Sequence, residues 1–231
     1  MTRPRLALLN AAHAAGDTSR NFRRELDADL VEFRLVHGDR PDGYDYDGFV
    51  VTGSASSAYD DDEWIRAAKT WCGEAIERGL PGLGICFGHQ LLADVLGGTV
   101  EAMGEYEIGY REVEKVNDDP LLSGLGDRFL VFTTHGDAVT ELPPGATRTL
   151  ENEYGIHGFR KGNVATVQAH PEYDTETAET VTRGKDLPEE RIESVVDGIT
   201  PENYSRACET KRLFENFLGE VRERRAATAD D

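Results

Sequence analysis

The sequence predicts an α/β fold, a doubly wound and mostly parallel open sheet with helices on both faces and extra strands in its second half. Three observations predict it. Short apolar runs alternate with amphipathic stretches through the first part of the chain. Runs of strand character then cluster between Tyr110 and Gln168. The segment around Cys86 reads as a strand, a tight turn and a helix in direct succession.

Arg5 to Leu9, RLALL, reads as a short buried strand. Thr18 or Ser19 can cap a following helix that carries Phe22 and Leu26 on one face. Leu30 to Leu35 alternates weakly and suits a second strand, and Gly38 to Gly48 is a Gly-, Asp- and Tyr-rich loop. Phe49-Val50-Val51 is a third strand running into Thr52-Gly53-Ser54. Asp60 to Glu63 places acids before a helix from Trp64 to Arg78, where the helix dipole favours them. Gly79 ends that helix. Pro81 to Ile85 is a strand, Cys86 to His89 a turn, and Gln90 to Leu96 a helix closed by Gly97-Gly98.

Four strands are then expected, at Tyr110 to Val116, Arg128 to Thr134, Thr147 to Glu151 and Val164 to Gln168, with turn signals between them. Helices follow from Glu172 to Arg183 and from Pro201 to Arg222. No repeat or linker divides the chain, so residues 1–231 are expected to form one domain. Its core would run over about 5–173, a helical extension over about 174–223 and a frayed tail over 224–231.

The chain has 231 residues, a formal net charge of −19 and 39% hydrophobic residues. That apolar content in ordered patterns argues against disorder. No run approaches the ~18 apolar residues that cross a bilayer. A surface this acidic repels phosphate backbones, so neither a membrane nor a nucleic acid is an expected partner. Lysines number 5 against 20 arginines, 20 aspartates and 24 glutamates spread along the chain. This distribution fits a halophilic protein, whose self-repulsion molar salt would screen. The start lacks a secretory pattern. The three cysteines, Cys72, Cys86 and Cys208, form no metal-type spacing or disulfide framework. A cytoplasmic, reducing setting is therefore expected, with no cofactor and no metal.

Gly84-Ile85-Cys86-Phe87-Gly88-His89-Gln90 is the sharpest feature. A nucleophile elbow is so tight that the residues two before and two after want no side chain, and both are glycine here. The sulfur then sits beside the first amides of a helix, which favour the reactive thiolate. Cys72 and Cys208 lack such surroundings and read as structural. A thiolate needs a base and a group that orients the base. Gln168-Ala169-His170-Pro171-Glu172 follows an apolar strand and supplies both, His170 to move the proton and Glu172 to hold the ring. His13, His37 and His157 read as ordinary surface or core histidines.

At these residues the sequence resembles the class I glutamine amidotransferases, the type with a Cys-His-Glu triad. The resemblance rests on Gly-Ile-Cys-Phe-Gly-His-Gln and Gln-Ala-His-Pro-Glu and covers about Leu6 to Tyr173. It implies a glutaminase step in which Cys86 attacks the glutamine side-chain amide. Ammonia leaves with a proton from His170, and water hydrolyses a γ-glutamyl thioester. The oxyanion would face the backbone amides of Phe87 and Gly53. The family commonly has Gly-Gly-Pro where this chain has Thr52-Gly53-Ser54. Gln90 matches a position that touches glutamine. Thr134-His135-Gly136-Asp137 resembles the Ser-His-Gly-Asp segment of the GMP synthetase glutaminase, which lies near the glutamine head group. His135 and Asp137 are thus candidate substrate contacts, although a plain strand-end loop fits them as well.

No Gly-rich phosphate loop of the ATP-dependent synthetase half is present, so ammonia would pass to a separate synthetase subunit. The stretch from Asp174 to Asp231 resembles the tails of stand-alone GMP-synthase-like members, a group that includes γ-glutamyl peptidases. Those cleave a γ-glutamyl bond with the same triad and no ammonia transfer. The pocket wall near Phe87, Thr134 and Tyr173 would decide between the two. A thiol stress protein with the same elbow is a third reading, disfavoured by the distant His-Pro-Glu partner.

Overall fold

A computed structural model describes residues 3–229. The first half alternates strands and helices: β1 (Arg5–Asn10), α1 (Ala15–Glu25), β2 (Asp29–Arg34), β3 (Gly48–Val51), α2 (Glu63–Glu77), β4 (Gly82–Ile85) and α3 (Phe87–Val95). Five strands follow, β5 (Thr99–Lys115), β6 (Arg128–Glu141), β7 (Thr147–Asn152), β8 (Gly155–Lys161) and β9 (Val164–Val167). The chain then runs through α4 (Thr175–Arg183), α5 (Glu189–Asp197), α6 (Pro201–Ala207) and α7 (Arg212–Ala229).

The nine strands form one mixed sheet in the order β2-β1-β3-β4-β9-β8-β7-β5-β6. β2 to β9 in that order are parallel, and every pairing from β9 onward to β6 is antiparallel. The parallel half is covered on both faces, as its apolar strands require. Alternation along β1 sends Leu6 and Leu8 into one core and Ala7 and Leu9 into the other. Phe22 of α1 and Leu213, Phe214, Phe217, Leu218 and Val221 of α7 fill the first. Ile65, Ala68, Trp71, Cys72 and Ala75 of α2, with Phe87, Leu91 and Leu92 of α3, fill the second. The C-terminal helix α7 therefore shares with α1 the covering of one face of the sheet.

Several elements differ from expectation. α1 begins at Ala15, before Thr18 and Ser19, and no side chain caps it. α3 begins at Phe87, so the turn shrinks to Cys86 itself. β5 and β6 extend well beyond the expected strands, and the pairing of β5 shifts register at Thr99/Val100 and between Ala102 and Glu107. Those irregularities break the alternation that would have revealed the longer strand. β8 was not expected because Gly155, His157 and Gly158 dilute its strand character, yet most of it is buried. α5 was also missed. The helix expected over Pro201 to Arg222 is interrupted by a tight turn at Cys208–Lys211, where the Thr210 hydroxyl donates to the Ala207 carbonyl at 2.7 Å. α7 continues through most of the expected tail, and residues 230–231 lie outside the described residues.

Candidate active site

β3, β4 and β9 are neighbours in the sheet and run parallel, so the residues that follow them arrive at one edge. Val51 pairs with Gly84, and Ile85 with Val167. Gly53, Cys86 and His170 lie one to three residues beyond these pairs.

Cys86 has φ 53° and ψ −104°, and among the described residues no other non-glycine has positive φ. Such a backbone costs ~1–3 kcal/mol and persists only where its surroundings hold it. The Cys86 amide donates to the Val167 carbonyl at 2.9 Å, and its carbonyl accepts the Gln90 amide at 3.2 Å. A Cβ on Gly84 would stand 2.5 Å from the Gly88 carbonyl oxygen, and one on Gly88 would stand 2.8 Å from the Val51 carbonyl carbon. Both glycines are thus demanded by close backbone approach. The sulfur sits at the first turn of α3, whose amides have no acceptor within the helix.

His170 is buried, and its amide donates to the Phe132 carbonyl at 2.9 Å. Its Nδ1 faces Glu172 Oε1 at 2.8 Å. Burial pulls the His170 pKa down, but the charge of Glu172 and the proximity of Cys86 outweigh it and push the ring up to about 10. The Tyr173 ring stacks on it, with centroids 4.1 Å apart. Arg24 of α1 donates to the Glu172 carbonyl at 2.6 Å and to Asp174 Oδ2 at 2.8 Å, which anchors the loop that carries Glu172. The second carboxylate oxygen of Glu172 is buried and has no hydrogen-bond partner among the described residues.

Gly53 stands against this group. A Cβ there would lie 2.7 Å from His170 Cε1 and 3.6 Å from Cys86 Cβ. The two residues whose amides are expected to face an oxyanion therefore adjoin Cys86, Phe87 along the chain and Gly53 in space.

Two cavities open on either side. One, of about 260 Å³, is lined by Cys86, Gln90, Tyr106, His135 and Asp137. The other, of about 340 Å³, is lined by His13, Gly53, His170, Glu172 and Tyr173. Ser54, Ala55, Thr134 and Lys185 line both. The expected substrate contacts are thus brought together, but they already have partners. Gln90 Nε2 donates to the Asp137 carbonyl at 2.8 Å and to Gln168 Oε1 at 3.0 Å. The Asp137 carboxylate accepts the hydroxyls of Ser57 at 2.5 Å and Tyr59 at 2.8 Å. His135 is fixed between the Asp137 carbonyl at 2.9 Å and Glu107 Oε2 at 2.7 Å.

Glu107 was missed by sequence reading, as were its partners' roles. It is fully buried and also receives His157 Nε2 at 3.0 Å and Asn152 Nδ2 at 2.8 Å. Burial disfavours its charge, yet the two histidines hold its carboxyl well below the usual carboxylate range. Its ligand atoms and those of His135 and His157 lie within 4.8 Å of one another, but they already pair among themselves. Lys185 and Tyr106 were missed too, for they come from α4's end and from the irregular part of β5. Cys72 is deep among apolar residues, which push its thiol up, and Cys208 is half-buried beside Tyr204.

Residues 18–184 match the family described as glutamine amidotransferase class-I. Gamma-glutamyl peptidase 5 of Arabidopsis thaliana is 35% identical over 155 residues, 62% of this chain and 62% of that protein. A glutamine-hydrolyzing GMP synthase of Thermomicrobium roseum is 38% identical over 128 residues, 54% of this chain but 23% of the synthase. The chain thus spans less than two thirds of either relative. The crystal structure of a glutamine amidotransferase from Thermotoga maritima superposes with a TM-score of 0.80 at 25% identity, covering 94% of this chain and 99% of that one.

Proposed function

The chain belongs to the class I glutamine amidotransferase family, and from that premise we propose that it hydrolyses the side-chain amide of glutamine through a γ-glutamyl thioester on Cys86. The observation that carries the reading is the line Cys86, His170, Glu172 at the ends of adjacent parallel strands, with Gly53 against the ring.

In this reading the Cys86 thiolate attacks the amide carbon. Negative charge develops on the amide oxygen, and the amides of Phe87 and Gly53 donate to it. His170 gives its proton to the departing nitrogen, and ammonia leaves. Water then attacks the thioester carbon with His170 taking its proton, and glutamate is released as the Cys86 thiolate reforms. Glu172 keeps the ring oriented and supports its positive charge. Gln90, His135 and Asp137 shape the cavity for the glutamyl group. Ammonia would be used by a separate synthetase subunit.

One observation favours a second reading. The open cleft beside His170 leaves room for a leaving amine larger than ammonia. A γ-glutamyl peptide would then be cleaved by the same steps, as the name of the Arabidopsis relative suggests.

The test is to incubate the wild-type chain and Cys86→Ala with glutamine, γ-glutamyl dipeptides and glutathione, and to quantify glutamate and ammonia. Ammonia from glutamine, absent with the variant, supports the glutaminase. Glutamate from the peptides with little from glutamine moves the assignment to peptidase. Equal product from wild type and variant would defeat both.

A further inference from the structure

We propose that Lys185 reads a carboxylate of the substrate, so that selectivity is set partly by the segment after α4 rather than by the sheet. The inference rests on the γ-glutamyl reading above. Lys185 lines both cavities, the one that holds Cys86 and the cleft that holds His170. Among the described residues no other lysine or arginine lines either. Its ammonium lies 5.2 Å from the centre of the Tyr106 ring, and the Tyr106 hydroxyl is 3.1 Å from Oγ1 of Thr134, whose backbone carbonyl lies 3.9 Å from the Cys86 sulfur.

The charge pattern makes this lysine unusual. The chain carries −19, and the cations around the site are already paired with acceptors. Arg183 pairs with Glu179 and Glu193, and Arg20 and Arg24 with Asp174. Arg191 donates to the Tyr106 carbonyl. Lys185 makes no ion pair among the described residues, and its partner is a neutral ring face. A half-buried cation in an acidic chain, turned to an aromatic face at the junction of two cavities, retains its full capacity for an anion.

The substrate class supplies that anion. Glutamine and the γ-glutamyl peptides bring an α-carboxylate, and a γ-glutamyl peptide adds a second one on its leaving side. The acids of the site, Asp137 and Glu172, would repel either. The contact of Arg191 with Tyr106 ties the α4–α5 segment to β5, so Lys185 is presented from a fixed strap.

The test measures binding without turnover. In a Cys86→Ala background, calorimetry compares Lys185, Lys185→Met and Lys185→Arg with four ligands: glutamine, glutaminamide, γ-glutamylglycine and γ-glutamyl methylamide. The expected result is a loss of about tenfold in affinity for glutamine with Lys185→Met, largely restored by Lys185→Arg. Glutaminamide, which lacks the α-carboxylate, should bind both variants as it binds the lysine form. A loss on γ-glutamylglycine alone, absent for the methylamide and for glutamine, would place the carboxylate on the leaving side and still support the inference. Unchanged affinity for every ligand, an equal loss on glutaminamide, or no binding with lysine present would overturn it. Binding of this pattern without hydrolysis by the wild type would instead sink the thioester reading alone.

Discussion

Gly53→Ala isolates the geometry of the site with one methyl group. The backbone at Gly53 lies outside the left-handed region, so alanine adds no conformational strain there. Its Cβ would stand 2.7 Å from His170 Cε1, about 0.7 Å inside ordinary van der Waals contact. His170 has little room to yield, with Tyr173 stacked on it and Glu172 bonded at 2.8 Å. A misplacement of 1 Å at a reacting group costs up to roughly 10²-fold, so a shift of several tenths of an ångström at His170 should lower kcat by about tenfold. The overpacking should destabilise the fold by only ~1–3 kcal/mol. The assay is glutamate release under saturating substrate, with a thermal melt run in parallel. A folded variant within threefold of wild-type kcat would refute the claim that Gly53 is needed for close approach to His170.

Three further outcomes are expected. Glu172→Gln removes the strongest influence that raises the His170 pKa, so the alkaline limb of activity should move down from about 10. The raised ring contributes stability that is complete below its unfolded pKa of ~6.5 and is lost as pH rises through about 10. A melting profile across that window that is the same in variant and wild type would count against the pairing. Glu107→Leu leaves two buried histidines without their shared acceptor and should cost about 3 kcal/mol by urea unfolding. Because the Glu107 carboxyl is held low, its contribution exists above the ordinary carboxylate range and fades as pH falls below it, so the variant's deficit should shrink in acid. Finally, raising KCl from about 0.1 to 1 M shortens screening from about 10 to 3 Å, and a chain of −19 should melt several degrees higher. A melting temperature that does not rise would contradict dominant self-repulsion.

The parallel half of the fold was legible because apolar runs such as Arg5–Leu9 and Phe49–Val51 are bounded by turn residues and followed by amphipathic helices. Cys86 was legible because a strained elbow demands Gly84 and Gly88, and that demand is written at fixed spacing. The antiparallel half was less so. In β5 the register shifts and Gly104 erase alternation just where Tyr106 and Glu107 enter the site. Nothing local marks Glu107 as the acceptor for histidines 28 and 50 residues away. Nor does sequence show that Arg24 of α1 would anchor the Glu172 loop, a contact across 148 residues. Long-range pairings of this kind depend on topology, which short spacings do not encode.

The account turns on a covalent γ-glutamyl intermediate at one sulfur. The most direct measurement is rapid acid quenching of the enzyme during turnover of glutamine or a γ-glutamyl peptide, followed by proteolysis and mass spectrometry of the Cys86 peptide. The account predicts that this peptide gains the mass of one γ-glutamyl group, that neither Cys72 nor Cys208 does, and that Cys86→Ala gains none. Glutamate released at full rate with no adduct on Cys86, or with the adduct on another residue, would contradict it.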